Sequence, residues 1–213
     1  MDKRPEVGLI EGRPVLLVID IQKSAFDDEM PGIPGMPEYS SKMQAAANLV
    51  KAARGFDLPI VFVQEAHRPN RVDFGRELDG QEGVHCIETD ESTQIADEVE
   101  MRPDDYFIRK RRYSCFFGTD LEILLKGLKA STLILVGGLT DVCVHYTFAD
   151  GHQHDYYCRV VEDCVAGSSH MAHEASLRAM EYLQSRARCS ADEVLASLNT
   201  LSPEQSVPAA VKH

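Results

Sequence analysis

Three residues able to perform acyl transfer, Asp20, Lys110 and Cys143, stand at or just past the ends of apolar runs in this chain. Cys143 lies near the end of Ser131-Thr-Leu-Ile-Leu-Val-Gly-Gly-Leu-Thr-Asp-Val-Cys-Val144. Thr132 to Val136 is β-branched and aliphatic, as a fully buried parallel strand should be. Gly137-Gly138 permits a sharp turn where side chains would be in the way. Thr140 is placed to cap a following helix, and Asp141 in its first turn complements the helix dipole. Cys143 is therefore expected at a helix N-terminus, where backbone N–H groups and the dipole favour a thiolate. Such a thiol can carry an acyl intermediate; a plain buried cysteine in a strand-to-helix turn fits the same stretch.

The other two groups sit at comparable places. Val15-Leu-Leu-Val-Ile19 reads as a buried strand ending at Asp20, with Gln22 and Phe26 following in loop as candidate substrate contacts. Tyr106-Phe-Ile108 reads as a short strand ending at Arg109-Lys110. Open parallel sheets bind ligands beyond their strands' carboxyl ends, so an acid, a base and a thiol at three such ends can meet. Lys110 and the helix dipole are expected to depress the Cys143 pKa. Asp20 can accept the thiol proton and return it to a leaving amine.

The elements that must position these groups alternate. Further strands are expected at Pro59-Ile-Val-Phe-Val63, Arg159-Val-Val161 and, briefly, Ala187-Arg-Cys189. Between them, helical spacing runs through Met43, Ala46, Ala47, Val50 and Ala53, through Leu121 to Leu128, and through Ala172 to Leu183. Capping boxes are expected at Ser41 to Gln44, Thr119 to Glu122 and Ser190 to Glu193. A weak helix is expected over Thr93 to Val99. Residues 27–37 and 66–92 have no sustained period, and loops of that length are usually functional. The pattern predicts a three-layer α/β/α sandwich with a central, mostly parallel sheet. One domain is expected over residues 1–213, with 1–14 a surface arm.

Composition narrows the function. At 213 residues, 44% hydrophobic and 26% charged, the sequence is that of an ordinary soluble enzyme-sized chain. A net charge of -12 argues against nucleic acid as a partner, since phosphate binding needs clustered cations. The one basic run, Arg109 to Arg112, is short. No stretch approaches the ~20 apolar residues that span a bilayer. The N-terminus has no apolar signal core, and the six cysteines include no CxxC pair; a cytoplasmic protein with reduced thiols is expected.

On three motifs the sequence resembles the isochorismatase-like superfamily of cysteine hydrolases. They are Leu16-Leu-Val-Ile-Asp-Ile-Gln22, Lys110-x-x-Tyr-Ser-Cys-Phe-Phe-Gly-Thr-Asp-Leu121 and Gly137-Gly-Leu-Thr-Asp-Val-Cys-Val144; Val160-Val-Glu-Asp-Cys164 adds a fourth match. The resemblance implies a catalytic triad of Asp20, Lys110 and Cys143. It implies a non-proline cis peptide just before Leu139, and an oxyanion hole built from the N–H groups of Leu139 and Cys143. It also implies a small-molecule amide or ureide as substrate, water as co-substrate, and a homo-oligomer. Nicotinamidases of the family carry a metal site whose Asp-x-His motif follows the second strand. Here that text reads Gln64-Glu-Ala-His-Arg68, whose flanks differ, so no metal and no other cofactor is expected. The run looks closer to members that hydrolyse ureido compounds, with Glu65, His67 or Arg68 holding a polar carbonyl or carboxylate.

Tyr113 and Phe116 are candidate pocket walls after Lys110, and His145 is a candidate border residue past Cys143. His152, His154, His170 and His173 match no common ligand spacing. Cys115 stands close enough to Lys110 to be a candidate redox-sensitive thiol. Isochorismatases proper cleave a vinyl ether without a cysteine nucleophile, so Cys143 favours amide chemistry. Vinyl ether hydrolysis and a catalytically silent binding protein remain the alternatives.

Overall fold

In the computed structural model, which describes residues 7–27, 29–202 and 205, the sheet is built as its sequence pattern requires. The strands are β1 (Pro14–Ile19), β2 (Ile60–Glu65), β3 (Tyr106–Lys110), β4 (Thr132–Gly138), β5 (Tyr157–Ala166) and β6 (Arg188–Cys189). They lie in the order β3-β2-β1-β4-β5-β6, and every pairing is parallel. β1, β2 and β4 are buried along their whole length, which is why they read as largely apolar runs, with Gln64 and Glu65 at the end of β2 the polar exceptions.

Alternate residues feed two cores. Leu16, Val18, Ile60, Phe62, Ile134 and Val136 pack against α1 (Tyr39–Ala53) and α5 (Ala191–Leu198). Val15, Leu17, Val61, Val63, Leu133 and Leu135 pack on the opposite face against α2 (Leu121–Gly127), α3 (His145–Gln153) and α4 (His170–Leu183). This is the expected three-layer α/β/α arrangement. No helix among the described residues is long and apolar enough to cross a membrane.

Several local expectations change. Of the three expected capping boxes, only the one of Ser190 with Glu193 forms. Ser41 lies inside α1 and donates to Glu38 O, while α2 starts after Asp120. The segment expected as a helix over Thr93 to Val99 is instead two 3-10 turns, Glu91–Thr93 and Asp97–Val99, joined through extended backbone. Residues 1–6 of the expected arm lie outside the described residues. The part that follows is held down: buried Arg159 donates through Nε to Leu9 O at 2.7 Å and through Nη2 to Gly8 O at 3.2 Å.

Candidate active site

The order of the strands creates one switch point, where the chain leaves β1 toward β2 and β3 on one side and later returns to β4 on the other. Parallel sheets bind ligands beyond the carboxyl ends at such a point. Asp20 follows β1 there, with φ of 53°. Its Oδ1 accepts the Glu65 N–H at 2.7 Å, which ties the ends of β1 and β2 together. Across the gap, Gly137 has φ of 116°, and a Cβ at that position would collide with Ile19 O of β1. The chain can pass so close only as glycine. The Gly138–Leu139 peptide that follows is cis.

Beyond it the chain forms a wide π-helical turn, Thr140–Val144, before α3 begins. Leu139, not Thr140, is its first boundary residue, and Leu139 O accepts the N–H groups of Val142 and Val144 on either side of Cys143. Thr140 Oγ1 meets His173 Nδ1 at 2.8 Å, and Asp141 accepts from Ser168, so the turn is anchored on the start of α4.

Asp20, Lys110 and Cys143 converge there. Lys110 Nζ lies 2.8 Å from Asp20 Oδ2 and 3.4 Å from Cys143 Sγ, and it also contacts Glu65 Oε2. Lys110 comes from β3, two strands from β1, and reaches past Glu65, its register partner at the end of β2. Cys143 Sγ is 3.4 Å from Glu65 Oε2. The cluster is thus four residues rather than three.

Burial raises the Asp20 carboxyl; Lys110 opposes that, Glu65 adds to it, and the result is a pKa of about 6. Burial acts the same way on Glu65, but Lys110, His67 and His85 outweigh it and hold Glu65 well below the usual carboxylate range. Burial would lower Lys110, but Asp20, Cys143 and Glu65 outweigh that and keep it firmly charged. The expectation for Cys143 is reversed. Burial pushes its thiol well above the ordinary value, with Asp20 and Glu65 adding to the rise and Lys110 pulling against it. Two carboxylates against one ammonium favour a resting thiol rather than a thiolate.

A cavity of about 500 Å³ opens above this cluster. Its lining includes Asp20, Gln22, Glu65, Tyr113, Leu139 and Cys143. Other expected contacts lie elsewhere. Phe26 packs on the α1 core, and Phe116 packs on the opposite core beside His154 and Tyr156. Arg68 turns outward to Asp73, and half-buried His145 neighbours Tyr146 on α3. His67 is fully buried behind Glu65. Cys115 is buried away from the lining, and burial pushes its thiol up to about 12. Cavity residues that the sequence did not reveal include Tyr39 of α1, Asp27 and Met30 of the 27–37 loop, and Glu82 and Cys86 of the 66–92 loop.

That second loop also changes the reading of Glu65-x-His67. It brings Glu77 and His85 inward, so that Glu65, His67, Glu77 and His85 offer ligand atoms all within 4.8 Å of one another, every residue buried. Both imidazole Nε2 atoms face Glu65 Oε1, at 3.2 Å from His67 and 3.1 Å from His85. Glu77 Oε2 is 3.0 Å from His67 Nε2, yet neither Glu77 oxygen has a hydrogen-bond partner among the described residues. His85 Nδ1 is already engaged with Gly83 O at 2.7 Å. If that nitrogen carries the proton, Nε2 must either be protonated too or direct its lone pair at a cation. Two imidazoles and two carboxylates are a donor set suited to a divalent transition metal. The residues therefore fit a cation where the sequence led us to expect none.

Comparison with known proteins agrees with this geometry. Residues 14–192 match the isochorismatase domain family. The chain belongs to the isochorismatase family. A ureidoacrylate amidohydrolase of Pantoea ananatis is 28% identical over 181 residues, covering 75% of this chain and 72% of the relative. The crystal structure of an isochorismatase-like hydrolase from Alkaliphilus metalliredigens superposes with a TM-score of 0.77 at 26% identity, over 87% of this chain and 98% of that one. A pyrazinamidase/nicotinamidase from Streptococcus mutans superposes with a TM-score of 0.72 over 83% of this chain and 99% of its own; at 24% identity it shows the shared fold alone.

Proposed function

We propose that this isochorismatase-family chain is a cysteine-dependent amidohydrolase that cleaves the C–N bond of a small amide or ureide and releases ammonia. The chain is a hydrolase acting on non-peptide carbon–nitrogen bonds, in keeping with its ureidoacrylate amidohydrolase relatives. The observation that carries the cysteine mechanism is the thiol of Cys143 among Asp20, Lys110 and Glu65 at the floor of one cavity.

The resting thiol needs a base at the moment of attack. Asp20, at about 6, is matched to that task near neutrality, whereas Glu65 is held ionised and is the weaker base. In the proposed sequence Asp20 takes the Cys143 proton as sulfur adds to the carbonyl carbon. The N–H groups of Leu139 and Cys143 receive the growing charge on oxygen. Asp20 then returns the proton to the leaving amine, so that ammonia departs and an acyl-thioester remains. Water, deprotonated by Asp20, releases the acid and restores the thiol. Lys110 keeps both carboxylates in place through the cycle. If the Glu65, His67, Glu77 and His85 set holds a divalent metal, the Glu65 and Glu77 carboxylates would offset its charge and the ion would fix Glu65 beside Cys143.

Ammonia release measured over carbamoyl amino acids, biuret, nicotinamide and short amides tests the reading. Turnover of at least one class, abolished in Cys143→Ala, is the expected result. Cleavage of isochorismate that survives Cys143→Ala, with no ammonia from any amide, would establish vinyl ether chemistry instead.

A further inference from the structure

The charge of the cavity wall narrows the substrate class, on the premise that the amidohydrolase reading holds. Its ionisable acids are Asp20, Asp27, Glu65 and Glu82, and no Lys, Arg or His stands among the described lining residues. The cations behind the wall are committed to it: Lys110 is completely buried with its ammonium facing Asp20, Glu65 and Cys143, and His67 and His85 turn their Nε2 atoms to Glu65. The basic run Arg109 to Arg112 at the end of β3, the obvious source of an anion clamp, turns its side chains to protein acceptors. Arg109 donates to Gln64 Oε1 at 3.1 Å, Arg111 to Ala66 O and Glu88, and Arg112 to Asp73 O and Arg111 O. Arg68 is held by Asp73, outside the lining.

The remaining amide and hydroxyl side chains of the described lining, Gln22, Ser24, Tyr39, Ser40 and Tyr113, carry no positive charge. Gln22 uses its amide N–H groups on Glu65 O and Thr93 O, and so turns no free donor to the cavity. Glu82 is half-buried, and its Oε2 accepts the Tyr113 hydroxyl at 3.0 Å, which fixes the carboxylate in the wall. Burial pushes the Glu82 carboxyl above its usual range, as happens to a carboxylate short of counter-charge. A substrate carboxylate placed against Glu82 would lose its hydration shell beside a like charge, with no cationic side chain of the described lining to receive it. An N–H or ammonium group would meet ready acceptors.

We propose that the cavity selects amides and ureides whose remote end is neutral or cationic, and that Glu82, held by Tyr113, is the specificity-determining residue that receives that end. The expectation that Arg68 or His67 holds a substrate carboxylate is replaced by one of the opposite sign.

Three ureas of closely similar size test this: aminoethylurea with an ammonium end, hydroxyethylurea with a neutral end, and N-carbamoylglycine with a carboxylate. Their affinities are measured by calorimetry on full-length Cys143→Ala protein, which binds without turning over. The ammonium member should bind about tenfold or more tighter than the carboxylate member, with the neutral one between. In the Cys143→Ala, Glu82→Gln double variant that ratio should shrink toward one, whereas a general folding defect would weaken all three alike. Equal or tighter binding of N-carbamoylglycine, or a ratio unmoved by Glu82→Gln, would overturn the proposal. Ammonia release from the wild-type protein is followed in parallel. Its absence with all three ureas would count against the amidohydrolase reading, while the binding order still decides the selectivity.

Discussion

At Cys143 two carboxylates compete for one proton, and their surroundings separate them. Asp20 titrates at about 6, whereas Glu65 is held ionised by Lys110, His67 and His85. If Asp20 is the base, the active form is its carboxylate, which is lost as pH falls through about 6. kcat/KM for ammonia release should therefore drop about tenfold per unit below that value. A profile flat down to about pH 5 would move the base elsewhere. Asp20→Asn should cost on the order of 10²-fold or more in kcat, the usual worth of a general base. Lys110→Met should leave Asp20 and Glu65 buried without their ammonium, a loss on the order of 3–5 kcal/mol in urea unfolding; wild-type stability would show that the two acids are neutralised some other way. Asp20, Lys110 and Cys143 were legible in the sequence because each stands at or just past a strand's carboxyl end. The direction of the Cys143 shift was not, because it depends on Glu65 reaching the thiol. The Glu65–Lys110 register places those two side chains on one face of the sheet, and the turn after β4 brings Cys143 to both.

The strands β1, β2 and β4 were legible as largely apolar runs, and α5 from its cap, because those signals are local. The loop 66–92 was not. Glu77 and His85 form no recognisable spacing with Glu65-x-His67 in the sequence, and tertiary wrapping alone brings them to Glu65 and His67. Elemental analysis of protein purified without chelators should find about one equivalent of a divalent transition metal per chain, strongly reduced in His85→Ala. A metal-free protein would mean that His67 and His85 face Glu65 as imidazolium ions. The switch-point turn makes a second demand on local geometry. Gly137→Ala places a Cβ against Ile19 O at a φ that side chains rarely adopt, and should destabilise the fold by more than about 1 kcal/mol in thermal or urea unfolding. Unchanged stability would mean that β1 and β4 can separate without cost.

Across the whole molecule, the arrangement of the sheet is what makes a single site possible. β1 and β4 are neighbours, so Asp20 and Cys143 face each other across the switch point, and β2 and β3 extend the row to bring Glu65 and Lys110 in from one side. The alternation of strands and helices was enough to predict the layers, but the strand order is set by long-range pairing that no local pattern encodes. The cavity wall is likewise assembled from α1 and two aperiodic loops, which is why Phe26, Arg68, Phe116 and His145 were plausible contacts in sequence and are not in the lining. The claim that unites these scales is that Cys143 carries the acyl group. Rapid-quench mass spectrometry of the intact protein mixed with a turned-over amide or ureide tests it directly. The account predicts a transient mass increase equal to the substrate's acyl fragment, located on the Cys143 peptide and absent in Cys143→Ala, which should also release no ammonia. Ammonia release at wild-type rate from Cys143→Ala, with no adduct on any cysteine, would contradict it.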